Sequence, residues 1–176
     1  MNATMRDALA ELIDFAALGG WHWREPSGAA FAFMTGDPDD VCTYEDGKYV
    51  IRKHERGMVS KPLIAAAELG HIEKYLSFHY GNTVRRKSGL PDIWLPGEHP
   101  AEVGESRSDY SFGGTPANML VSWKDSSGHH EVNLNYLSAG DWAQYSRHSA
   151  QEIRDSFLHP EGLPVFTPSP QRTSLR

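Results

Sequence analysis

From Met119 to Leu137 the chain alternates apolar and polar residues with a period of two. Val132, Leu134 and Tyr136 lie on one side, and Glu131, Asn133 and Asn135 on the other. That pattern predicts a half-buried antiparallel strand. Met119, Val121 and Trp123 offer a matching apolar face one strand earlier, and Asp125-Ser126-Ser127-Gly128 supplies the turn between them. A sheet with one apolar face needs a covering layer, and the segments before and after this hairpin read as helices.

The N-terminal stretch has a helical period. Thr4 with Asp7 reads as a capping box, Met5, Leu9, Leu12 and Ala16 share one face, and Gly19-Gly20 is the stop. Three strand regions follow. They are Trp21–Arg24, an Ala29–Met34 run apolar on both faces and expected to be central, and the pair Val41–Tyr44 and Tyr49–Lys53 around the turn Glu45-Asp46-Gly47-Lys48. Ser60 and Pro62 predict a helix over Lys61–His79 with the stripe Ala65, Leu69, Ile72 and Leu76. Gly70 predicts a close helix-to-sheet approach, and Tyr80-Gly81-Asn82 an end. Residues 85–116 read as a long loop, pinned by Ile93-Trp94-Leu95, with a short strand near Tyr110–Phe112. Ser138 with Asp141 and Ser149 with Glu152 predict two helices, about 139–147 and 150–158, with Trp142, Tyr145, Ile153 and Phe157 inside. The expected fold is a single α+β domain over residues 1–165, a mainly antiparallel sheet packed against N-terminal, middle and C-terminal helices. Residues 166–176 are expected to form a flexible tail.

Composition narrows the function classes. A length of 176 residues suits one domain with a real core. The net charge of −6 offers no basic excess for phosphates, so nucleic acid is not an expected partner. A lone cysteine, Cys42, excludes an internal disulfide and suits a reducing cytoplasm. No run approaches the ~20 apolar residues of a membrane span, so a cytoplasmic protein is expected.

Catalytic patterns are weak. Glu68 and His71 stand three apart, as in di-metal helical bundles, but the motif occurs once, and a solvated helix face is the preferred reading. His129 and His130 are adjacent on a strand and point to opposite faces, so they do not share a metal. No Gly-x-Ser-x-Gly elbow or phosphate loop is present, and Cys42 reads as buried and inert. Gly113-Gly114 reads equally as an oxyanion hole or a tight turn. The acidic turn Asp37, Asp39, Asp40 reads as hairpin chemistry, Arg85-Arg86-Lys87 as solvated, and Trp21, Trp23 and Trp94 as core. The residues therefore predict a binding protein with no catalytic residues, metal or cofactor. A small metal-independent hydrolase and an adaptor for another protein are the alternatives.

The chain as a whole resembles bacterial toxin-immunity proteins, and among them mycobacterial immunity factors. The resemblance rests on the opening helix into Gly19-Gly20-Trp21-His22-Trp23, on YEDGKYVIRKHERG at Tyr44–Gly57, and on LNYLSAGDWAQYSRHS at Leu134–Ser149. It implies a cytoplasmic antitoxin that binds the NAD glycohydrolase domain of a cognate secreted toxin, one to one, and occludes its NAD-binding cleft. No contact residue is carried over by a motif. Within that role, Arg107, Asp109, Tyr110 and Phe112 on a Gly- and Ser-rich segment are expected toxin contacts, because Tyr and Arg most often anchor interfaces. The same aromatics folded back onto the sheet are an equal alternative, and Asp39 and Asp40 are the rival contact.

Overall fold

The computed structural model describes residues 3–93, 95, 101–107 and 109–166. Two short helices open the chain, α1 (Ala3–Ala8) and α2 (Ala10–Leu18), offset at Leu9. Leu9, Leu12 and Ala16 are buried together, and Gly20 takes the left-handed conformation (φ +87°) that ends the run. An antiparallel meander follows: β1 (His22–Arg24), β2 (Phe31–Met34), β3 (Asp39–Glu45) and β4 (Lys48–Glu55). Asp46 and Gly47, both at positive φ, make the tight β3–β4 turn. β5 (Met58–Val59) doubles back along the end of β4, and then comes β6 (Ile64–Ala66).

Here the structure departs from the sequence expectation. Residues 61–68 are not helical. β6 is gripped between β4 and the later hairpin, with Ile64 opposite both Ile51 and Leu134. The Ala-rich run has no period of its own to decide between helix and strand, and pairing on both sides decides it. β2, expected to be central, lies one strand from the edge instead.

The middle helix α3 (Leu69–Lys87) starts later and runs on through Tyr80-Gly81-Asn82. Gly81 does not end it; a Cβ there would come within 2.3 Å of the Phe157 ring, so the glycine makes room for the last helix. Gly70 has open space and marks no close approach. The chain returns through β7 (Ser106–Arg107), β8 (Tyr110–Thr115), β9 (Asn118–Asp125) and β10 (Gly128–Leu134), then α4 (Tyr136–Tyr145) and α5 (Ala150–Leu158). Gly113-Gly114 belongs to β8. Tyr136 is not on the strand; it opens α4, whose cap is Asn135, accepting from Ser138 N at 3.0 Å, rather than Ser138. The Ser149–Glu152 capping box on α5 forms as expected.

The described strands make one antiparallel sheet in the order β1-β2-β3-β4-β6-β10-β9-β8-β7. Phe31, Phe33, Cys42, Ile51, Ile64, Ala66, Val132, Leu134, Met119, Val121, Phe112 and Tyr110 are buried along it. α3 lies against β4 and β6, α2 and α5 pack on α3, and α4 packs on β9. Trp142, Tyr145, Ile153 and Phe157 are buried, as the pattern predicts. This is the expected α+β architecture.

Two buried arginines lock the helices. Arg154 of α5 reaches Glu11 of α2 (2.6 Å) and Glu73 of α3 (2.7 Å). Arg85, expected on a solvated basic cluster, is 1% exposed. Its guanidinium donates to the carbonyls of Phe157 (2.9 Å), His159 (2.7 Å) and Pro160 (2.9 Å), and to that of Pro91. It thereby closes the C-terminal end of α5. Phe166, at the start of the expected tail, is buried against Phe157 and Phe78; residues 167–176 and Trp94 lie outside the described residues.

Candidate functional site

A cavity of about 380 Å³ opens where the start of α3, the tips of β9 and β10, and the end of α4 meet. Strand register explains who lines it. His130 sits opposite Trp123, so both face the helical layer, while His129 points the other way and pairs with Glu131 at 3.1 Å. Trp123 stacks on His130 with ring centroids 5.2 Å apart, and His71 from the first turn of α3 meets both Trp123 (5.2 Å) and His130 (5.3 Å). Glu68, just before α3, turns back towards them.

His71 is not on a solvated helix face. It is 7% exposed, and burial pushes its pKa down to about 4, against the pull of Glu68. Its imidazole is therefore neutral near pH 7. Among the described residues His71 Nε2 has no hydrogen-bond partner; Glu68 Oε1 lies 3.7 Å away. His130 Nδ1 is 3.1 Å from that same oxygen, and His130 Nε2 is 3.1 Å from Asp125 Oδ1. Asp125 also accepts from the hydroxyl (2.6 Å) and amide (2.7 Å) of Ser127, and these bonds hold its carboxyl well below the usual range.

The far wall is polar. Tyr110 Oη is 2.8 Å from Ser146 Oγ, Lys74 Nζ donates to Ser146 O at 2.8 Å, and Arg147 lies over the Tyr110 ring while pairing with Asp109 at 2.9 Å.

The expected contact residues scatter. Tyr110 and Phe112 are 2% exposed, so they are core residues and not projecting anchors. Their period of two on β8 turns both inward. Asp109 is exposed on the cavity rim. Arg107 lies in β7, and its side chain falls outside what the structure describes. Asp40 is 1% exposed with His79 Nε2 3.4 Å away, so it is no surface contact. Asp39 is half-buried and accepts from Thr35 N (2.9 Å) and Gly36 N (3.0 Å), which is turn chemistry. Cys42 is buried, and burial pushes its thiol up to about 12. His130 is the site residue that the sequence reading did not connect to Glu68 and His71.

This architecture defines a class. The model of the Immunity protein 61 family matches residues 15–165, and the chain belongs to that family. More particularly, it is similar to the immunity factor for TNT of Mycobacterium tuberculosis (strain ATCC 25618 / H37Rv) and to the homolog of that factor in Mycobacterium bovis (strain BCG / Pasteur 1173P2). Each is 34% identical over 126 residues, which is 69% of this chain and 68% of the relative. The solved structure of Rv3902c from M. tuberculosis superposes with a TM-score of 0.73 at 28% identity, covering 89% of this chain and 92% of that one.

Proposed function

We propose that this immunity protein is a cytoplasmic antitoxin that binds the NAD glycohydrolase domain of a cognate toxin, one to one, and blocks its NAD-binding cleft. The carrying observation is the similarity to immunity factors for TNT, within a family whose model matches residues 15–165. Occlusion needs a rigid scaffold and a shaped surface, and the arginine-locked helices on a single sheet provide one. An interface of about 1,600 Å² in total is within reach of a domain this size. The net charge of −6 suits approach to a cleft that holds an anionic dinucleotide. With Tyr110 and Phe112 buried, the contact from this segment narrows to the rim, where Asp109 is exposed and Arg107 precedes it. Adding the protein to the toxin domain above Kd should abolish NAD loss linearly to one equivalent. Unchanged hydrolysis at molar excess refutes the function. Unchanged inhibition by a folded Asp109→Lys variant refutes the rim contact alone.

One observation favours the hydrolase reading. Ser127 Oγ, His130 Nε2 and Nδ1, and Glu68 Oε1 follow one another at 2.8 and 3.1 Å, the order of a nucleophile, base and acid. Against it, Ser127 Oγ is closer to Asp125 (2.6 Å) than to His130, on an exposed turn. Labelling of Ser127 by a fluorophosphonate, lost in Ser127→Ala, would support that reading.

A further inference from the structure

The floor of the cavity brings together three groups able to donate an electron pair, the Glu68 carboxylate and the imidazoles of His71 and His130. His130 Nε2 and the Ser127 hydroxyl both face Asp125 Oδ1, at 3.1 and 2.6 Å. The Ser127 hydroxyl donates to this carboxylate, and the His130 tautomer protonated at Nε2 donates to it as well. A neutral His130 then presents the bare lone pair of Nδ1 to Glu68 Oε1, 3.1 Å away. His71 Nε2, buried and unpartnered among the described residues, is 3.7 Å from the same oxygen. The three ligand atoms all lie within 4.8 Å of one another.

We propose that Glu68, His71 and His130 form a site for a divalent transition-metal ion of the zinc type, with a further coordination position open to the cavity. Two imidazoles and one carboxylate are a zinc donor set. Ligand atoms about 2.0–2.1 Å from one tetrahedral ion stand about 3.3 Å apart, close to the 3.1 and 3.7 Å seen here. The surrounding shell fits as well. A metal-bound histidine ordinarily donates its other ring N–H to a carboxylate, and Asp125 is that carboxylate for His130, itself fixed by the amide and hydroxyl of Ser127. Trp123 and Trp142 pack against the His71 ring and hold its orientation. The site departs from the sequence expectation of no metal, and it does not depend on the toxin assignment.

The test is calorimetric titration of chelator-stripped protein with zinc chloride, repeated with Co²⁺ to read the coordination spectroscopically. The expected result is one equivalent bound, with the intense visible absorption of tetrahedral cobalt. Glu68→Gln, more than half exposed and so safe for folding, and His130→Gln should each weaken binding at least 10-fold. Asp125→Asn should weaken it by about 10- to 100-fold, as loss of an outer-shell partner does. His129→Ala, on the opposite face, should leave it unchanged. Absence of saturable binding by the folded parent would overturn the proposal. Binding lost equally in His129→Ala would overturn it too, assigning the ion to the surface pair His129 and Glu131.

Discussion

Replacing Arg85 by Lys keeps the charge and much of the length, and it isolates the guanidinium geometry. Arg85 uses Nε, one terminal nitrogen twice and the other once to reach four carbonyls from two separate segments. An ammonium carries three donors on a single atom and cannot span a fork that wide. At least one or two charge-assisted bonds are lost, each worth about 1.5–3 kcal/mol, with the largest cost at the buried bond to the Phe157 carbonyl. The expected destabilisation is about 2–4 kcal/mol. With a urea m-value of about 2 kcal/mol/M, the midpoint drops by about 1–2 M. Arg86→Lys is the internal control, because Arg86 is exposed and pairs with Asp92 at the surface (2.8 Å); it should shift stability by less than ~0.5 kcal/mol. Equilibrium urea unfolding followed by Trp fluorescence reads both. If Arg85→Lys unfolds with Arg86→Lys and the parent, the guanidinium is not closing the end of α5.

Three further outcomes follow from the packing. Gly81→Ala should cost about 1–3 kcal/mol in the same assay, because the new methyl overlaps the Phe157 ring; no loss would mean α5 slides freely on α3. Tyr110→Phe should cost about 1 kcal/mol through the lost bond to Ser146, and Tyr110→Ala about 3–5 kcal/mol; a folded, fully stable Tyr110→Ala that fails to inhibit toxin would restore Tyr110 as a contact. Cys42 should react with Ellman's reagent at pH 8 only as fast as the protein opens. Its thiol is held protonated in the fold up to about pH 12 while the unfolded chain ionises near 9, so stability should fall as pH rises across that window, and less so in Cys42→Ala.

Local signals carried the readable part of the fold. Asp46-Gly47 marks the β3–β4 turn through its positive φ angles, and Ser149 with Glu152 caps α5 through bonds three residues apart. The alternation in β9 and β10 needs only the period of two. Failures came where distant contacts decide. Residues 64–66 become strand because β4 and β10 flank them, Gly81 serves Phe157, and Arg85 is buried by carbonyls more than seventy positions away. The site divides in the same way. The Glu68–His71 spacing is visible in the sequence, but His130 arrives from across the sheet with no motif to announce it. Tyr110 and Phe112 have interface chemistry, yet their alternation on β8 turns them inward.

Among the described strands, β6 alone bonds to both the early meander and the late hairpin. One flank closes over a short stretch, Ile51 to Ile64, whereas the other waits for Val132 to reach Ala66. The closure entropy of that long span must be met before its pairing returns anything. During synthesis the first four strands can therefore assemble while one edge of β6 stays unpaired, and the sheet is completed only after β10 has left the ribosome. For an immunity protein this sets an interval of vulnerability. Protection begins only once β10 has been made, so a cell that makes toxin and immunity protein together is safest when the immunity protein has a head start.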